Sequence, residues 1–200
     1  MLNYSVLFNL KFDCMKKLFI TLFLGASITL NAQSTKTYGG VKFPTSVEVG
    51  SATLELNGGG VREKYWIDLY AAALYVTKKT DEPGKIVYAN DEQAIHIKII
   101  SSSVTRERFI ESVNEGFKNA GHGKATDAEI KKFMGFFSDE FKIGDKINLE
   151  FIPEKGVTVK KNGTAKGTIP GLDFKKALFA IWLGSKPASV DLKQGMLGKK

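Results

Sequence analysis

The sequence predicts an α+β fold: a long antiparallel sheet with helices packed on one face. Three observations predict it. Strand-like segments come first, helical ones follow, and more strands precede a last helix, so helices are segregated rather than alternated with single strands. AIHIKII (94–100) alternates strictly, which puts Ile95, Ile97 and Ile99 on one face of a strand. Asn162-Gly163 separates two strand-like runs, and this dipeptide tolerates the positive φ of a tight hairpin.

The elements follow in chain order. Residues 1–32 are read as an N-terminal extension and signal peptide, and residues 33–200 as a single domain. Met15-Lys16-Lys17 forms a positive stretch, followed by 13 mostly apolar residues from Leu18 to Leu30. Signal-peptide cores run ~7–15 residues, whereas a membrane-spanning helix needs ~20. The expected cleavage point follows Ala32, although Leu30 is larger than the small residue usual there. An uncleaved anchor is the alternative; the short length and the interruptions at Gly25 and Thr29 speak against it. Residues 1–14 precede Met15, which reads as the natural start.

VKFPTSVEV (41–49) and ATLEL (52–56) read as strands because they alternate and are β-branched. Gly58-Gly59-Gly60 marks either a bend or a close backbone approach. YWIDLYAAALYV (65–76) reads as a long strand, although Ala71 to Ala73 also suit a helix. Asp81-Glu82-Pro83-Gly84 is a loop signal. Between Thr105 and Lys118 the period lengthens: Phe109, Val113 and Phe117 stand four apart with Ile110 beside them, one helical stripe that Gly121 and Gly123 end. Thr126 to Glu129 is a capping box, opening a helix that carries Ile130, Phe133, Met134, Phe136, Phe137 and Phe141. KINLEFI (146–152) and VTVKK (157–161) are hairpin strands. A last helix runs from about Asp173 to Leu183, with Phe174, Ala177, Leu178, Ile181 and Trp182 on its apolar face; Pro187 then breaks the chain before a short terminal turn.

Composition narrows the function. The chain has 200 residues, 43% hydrophobic, with 14 Phe, enough for a sizeable core. Loss of residues 1–32 removes Lys11, Lys16, Lys17 and Asp13, taking 29 basic and 21 acidic residues to 26 and 20, a net charge of +6. It also removes Cys14, so the exported domain has no disulfide, thiol nucleophile or thiolate ligand. The lysines are scattered, as on a solvated basic surface, and no basic-aromatic motif points to nucleic acid. His96 and His122 have no HExxH motif or acidic cluster around them, so no metal is expected. The glycine run has neither P-loop nor dinucleotide-fold spacing, and no cofactor is expected. A GxSxG elbow is absent.

What remains is LELNGGGVREKYWIDLYAAALYV (54–76). Arg62 follows the glycines, and Tyr70 and Tyr75 stand on the strand beyond. An arginine near aromatic strands under Phe-rich helices suits an anion clamp at the mouth of an apolar pocket: the guanidinium forks onto a carboxylate or enolate oxygen and a tyrosine adds a donor. Spacing alone favours the plainer reading, a surface arginine and two strand tyrosines.

The segment GGGVREKYWIDLYAAALYV (58–76) resembles the chalcone isomerase-like family. GDKINLEFIPEKGVTVKKNG (144–163) and FKKALFAIWLGSKPASVDLKQGMLG (174–198) carry the same resemblance, which runs from about Val41 to Gly198 and is specific in combination. It implies an open-faced β-sandwich with helices over a long sheet. The family includes plant enzymes that close a chalcone to a flavanone, relatives that bind fatty acids, and relatives without known catalysis. Arg62 matches the active-site arginine that stabilises an anionic oxygen. Tyr70 stands five residues before Tyr75, where the enzymes place a threonine and the fatty-acid-binding members a tyrosine beside the arginine. Phe109 falls where the enzymes carry a catalytic tyrosine, and Lys175 where their last helix carries Ser or Thr. The enzymes' asparagine falls near Asn114 or Gly116 and is not transferred.

The resemblance therefore implies a ligand-binding set of Arg62, Tyr70, Tyr75 and Phe109, with Arg62 and Tyr70 as the catalytic candidates. The expected partner is a fatty acid or similar small amphipathic anion, bound in the periplasm or outside the cell with little or no catalysis. The alternatives are an intramolecular lyase acting on a phenolic substrate and an envelope interaction module without a small ligand. The clamp sets one geometric condition. Eight residues of straight strand span ~26 Å, so the chain must fold back between Gly60 and Asp68 for Arg62 and Tyr70 to share a pocket.

Overall fold

The computed structural model describes residues 34–200. The Met15 start, the leader and its cleavage after Ala32 lie outside the described residues. In order, the elements are β1 (Thr35–Tyr38), β2 (Val41–Pro44), β3 (Ser46–Val49), β4 (Ala52–Lys64), β5 (Ile67–Val76), α1 (Pro83–Val87) and β6 (Gln93–Ile99). There follow α2 (Arg106–Asn119), α3 (Asp127–Gly135), β7 (Lys146–Ile152), β8 (Gly156–Lys161), β9 (Thr164–Ile169), α4 (Leu172–Leu183) and α5 (Val190–Met196). Strands β3 to β9 form a seven-stranded antiparallel sheet in sequence order, and β1 pairs with β2 separately. Each strand lies beside its chain neighbour, so the sheet is a meander, curled into a half-barrel.

Strand alternation sorts the side chains into two layers. Tyr70, Ala72, Leu74 and Val76 of β5, the isoleucines of β6, and Ile147, Leu149 and Phe151 of β7 pack under the helices. On the reverse face, Leu54, Leu56, Ala71, Ala73 and Tyr75 pack with Val41 and Phe43 of the small hairpin. The centre of the sheet is thus covered on both sides, which explains why LYAAALYV lacks a clean polar alternation. Ala71, Ala72 and Ala73 are fully buried in strand β5, not in a helix.

The glycine run is a close approach, not a bend. Strand β4 passes straight through it. A Cβ on Gly58 would lie 2.2 Å from the Gly195 carbonyl oxygen of α5, and one on Gly59 would lie 2.6 Å from the Tyr38 ring on the reverse face. The chain folds back later, at Tyr65-Trp66, so the strand expected from residue 65 begins at Ile67.

Other boundaries shift too. The strand expected over 41–49 breaks at Thr45, whose N–H donates to the Ser34 carbonyl while its own carbonyl accepts from Leu56 N–H. Pro83, expected in a loop, opens helix α1, where its fixed φ suits the first turn. Helix α3 ends at Gly135, leaving Phe137 and Phe141 to reach the core from the segment beyond it. The terminal turn is helix α5, capped by the Ser189 hydroxyl. The expected capping box is present: Thr126 and Glu129 exchange side-chain and backbone bonds. Among the described residues, no helix is long and apolar enough to cross a membrane.

Candidate functional site

The site begins with the β4–β5 hairpin. Lys64 pairs with Ile67 across the two-residue turn Tyr65-Trp66, and a bulge between Arg62 and Glu63 shifts the register by one residue. That shift makes Arg62 and Tyr70 direct cross-strand partners on one face. The guanidinium carbon of Arg62 lies 5.8 Å from the centre of the Tyr70 ring. The fold-back that the clamp requires is present.

Both side chains are withdrawn from solvent. Arg62 is 9% exposed and Tyr70 7%. The Tyr70 hydroxyl accepts a 2.9 Å hydrogen bond from the indole N–H of Trp182 on α4. Burial pushes the Tyr70 pKa up; the Arg62 charge and the Trp182 donor oppose it. The phenol is therefore neutral at physiological pH, and while it accepts from Trp182 it keeps its proton for donation. The Arg62 Nε–H has no partner among the described residues. A buried donor without an acceptor is costly, and an anion at this place would relieve it.

Such an anion has room. A cavity of about 370 Å³ opens between the hairpin, residues 103–104 and the first turns of α2, lined by Arg62, Tyr70, Leu69, Val104 and Phe109 among others. Its volume falls near the lower end of ~300–1,000 Å³, the usual range for small-molecule sites. Phe109 is held from behind by Phe137 and Phe141, with ring centres 4.8 and 4.7 Å away. Lys64 and Arg108 stand at the rim with Glu111, giving the lining a positive balance when Arg62 is included. The arrangement offers charge and hydrogen bonding at one place and apolar surface around it.

Arg62, Tyr70 and Phe109 thus share one cavity. Tyr75 does not join them. It stands five residues from Tyr70, an odd interval on a strand, and its hydroxyl donates to the Pro44 carbonyl on the reverse face at 3.0 Å. Lys175 also lies elsewhere, donating to the carbonyls of Ile86, Val87 and Ala89 at the end of α1. Trp182 and the rim cations Lys64 and Arg108 were not foreseen. For Trp182 a signal existed: an indole on a buried helix face carries an N–H that needs an acceptor, and the tyrosines of the neighbouring strand offer one.

The profile of a family described as chalcone isomerase-like matches residues 35–198. Among solved structures, a fatty-acid binding protein of Arabidopsis thaliana is similar, with a TM-score of 0.65 and 21% sequence identity over 82% of this chain and 96% of that one. At this identity the likeness speaks for the fold. The curated proteins contain no significant match.

Proposed function

The chain belongs to the chalcone isomerase-like family, and from that premise we propose that its cavity binds a fatty acid or similar small amphipathic anion with little or no catalysis. The observation that carries this reading is the unpaired Arg62 Nε–H, buried beside the Tyr70 phenol in an otherwise largely apolar cavity. A carboxylate would accept hydrogen bonds from the guanidinium and from the Tyr70 hydroxyl, and its tail would lie against Leu69, Val104 and Phe109. The similar Arabidopsis protein, whose description is fatty-acid binding, supports the same ligand class. Export is part of the proposal: the basic pair Lys16-Lys17 and the apolar stretch after it direct the protein to the periplasm or beyond.

Phe109 weighs against efficient ring closure. It brings a hydrocarbon ring into the cavity where the family's enzymes bring a hydroxyl, and the loss of one positioned donor costs ~10²–10³ in rate at a comparable oxyanion site.

The test is the affinity for a long-chain fatty acid, measured by titration calorimetry. Arg62→Ala is expected to weaken binding roughly 10–100-fold, the value of one charge-assisted hydrogen-bonding group. Arg62→Lys is expected to recover part of it, since it restores charge but not the fork. Equal affinity in all three proteins, or no binding by the unaltered chain, would reject the reading. Rapid loss of chalcone absorbance on mixing would move the assignment to the lyase.

A further inference from the structure

The β4–β5 turn breaks two rules at once. Tyr65 and Trp66 both take positive φ, 54° and 61°. Non-glycine residues other than Asn and Asp seldom do so. The other two-residue hairpin turns among the described residues use Gly39-Gly40, Gly50-Ser51 and Asn162-Gly163, the residue types that such turns favour. The β4–β5 turn instead exposes large apolar groups: Trp66 is 92% exposed, Tyr65 77% and Ile67 43%. Neither folding nor solubility explains an indole at a strained tip in water, and a local rule broken without structural gain marks a functional position.

Charge is sorted across the same hairpin. Lys64 pairs with Ile67, and both line the cavity together with Arg108. Glu63 pairs with Asp68 one step along, and neither lines the cavity. On the hairpin, the side that bears the cavity mouth is therefore basic and aromatic, while the acidic pair belongs to the alternate strand positions; across the mouth Arg108 stands with Glu111, so the lining as a whole keeps a positive balance. Lys64 also holds its ammonium 5.4 Å from the centre of the Tyr65 ring. Trp and Tyr settle at the boundary between headgroups and acyl chains, and flanking Lys and Arg attract anionic lipid.

We propose that the hairpin tip Lys64–Ile67 docks on an anionic lipid bilayer, seating Trp66 and Tyr65 in its interface and setting the cavity mouth against the lipid from which the ligand is taken or to which it is given. The purpose assigned to docking rests on the cavity being a lipid site; the docking itself rests on the turn. Four residues at a loop tip give a reversible attachment, not a span.

The test uses the full chain with vesicles of phosphatidylcholine alone or mixed with phosphatidylglycerol. Trp66 emission reports the tip directly, even where another segment reaches the bilayer, because Trp182 is buried. Anionic vesicles are expected to shift the emission to the blue and to permit quenching by brominated lipid, both several-fold weaker on neutral vesicles and reduced as salt rises from about 0.05 to about 0.5 M. Trp66→Gly suits the turn and is expected not to lower Tm. It should slow uptake of the fluorescent fatty acid cis-parinarate from anionic vesicles at least fivefold, leaving its affinity in vesicle-free solution unaltered. Arg62→Ala is expected to do the reverse, keeping the blue shift and losing the affinity. Unshifted emission, a shift equal on both vesicle types, or unslowed uptake by Trp66→Gly would overturn the docking. Absence of cis-parinarate binding by the unaltered chain would instead remove the ligand reading, and the emission shift alone would then decide the docking.

Discussion

Arg62 and His96 show how burial sets the behaviour of single residues in this fold. Arg62 lies in a site that shields it from water, and its Nε–H, without a partner among the described residues, acts as a standing demand for an acceptor. His96 lies on the reverse face, 4.8 Å from the Tyr75 ring, with no hydrogen-bond partner for its Nε2 atom among the described residues. Burial, aided by the positive charge of Lys160, pushes its pKa down to about 4 from 6.5. Between those values the unfolded chain binds the proton that the folded chain refuses. The stability tied to His96 is therefore complete above pH 6.5 and lost as pH falls toward 4, on the order of 3 kcal/mol in all. Thermal melts at pH 7 and pH 4.5 check this: the unaltered chain is expected to lose more stability across the interval than His96→Phe. Equal losses would show that His96 is not the group responsible.

The hairpin and the helix that lies on it carry the argument at the scale of elements. Strand β4 is long, and its glycine run lets α5 sit against the backbone itself. A Cβ at Gly58 would stand 2.2 Å from a backbone oxygen of α5, and backbone yields less readily than a side chain end. Gly58→Ala is expected to lower stability by about 1–3 kcal/mol, each kcal/mol appearing as a fall of roughly 2–4 °C in Tm. An unchanged Tm would mean that α5 is free to move away from β4. The same packing fixes the middle of β4, so the hairpin beyond Gly60 projects from a rigid base. Arg62 and Tyr70 meet because β4 and β5 are antiparallel neighbours with one bulge, a relation that belongs to the pair of strands and to neither residue alone.

At the scale of the whole molecule, Lys175 ties three elements at the end of the sheet opposite the cavity. It is completely buried, donates to three carbonyls around the end of α1, and lies 5.4 Å from the Phe151 ring and 5.0 Å from the Phe179 ring. Burial pushes its pKa down to about 7 from 10.5, with Asp91 opposing. From pH 7 to 10.5 the unfolded chain holds a proton that the folded chain has released, so the stability tied to Lys175 rises with pH across that window. Lys175→Met is expected to remove this rise. It is also expected to lower Tm at pH 6.5, where the ammonium supplies all three N–H donors, because each carbonyl left unpaired costs about 1–3 kcal/mol. Melts of both proteins at pH 6.5, 8 and 9 check the slope and the offset together; a parallel pair of curves would count against the assignment.

The isoleucine face of β6, the helical stripe at Phe109, the capping box at Thr126 and the Asn162-Gly163 hairpin were legible in the residues, because periodicity and turn chemistry act over a few neighbours, whereas the second interior layer under the small hairpin was not. So was the α+β class, and the arginine at Arg62 stood out beside its glycines. Where Arg62 points, and what it meets, was not legible. That depended on the turn falling at Tyr65-Trp66, two residues no turn rule would choose, and on a bulge that brings Tyr70 opposite Arg62; the odd interval from Tyr70 to Tyr75, by contrast, already put Tyr75 on the reverse face. The same distance in sequence separates partners or strangers according to where the strand folds back. Local rules are written in neighbouring residues, whereas a cavity is made of residues distant in the chain, and tertiary packing alone brings Trp182 to Tyr70 and Phe109 to Arg62.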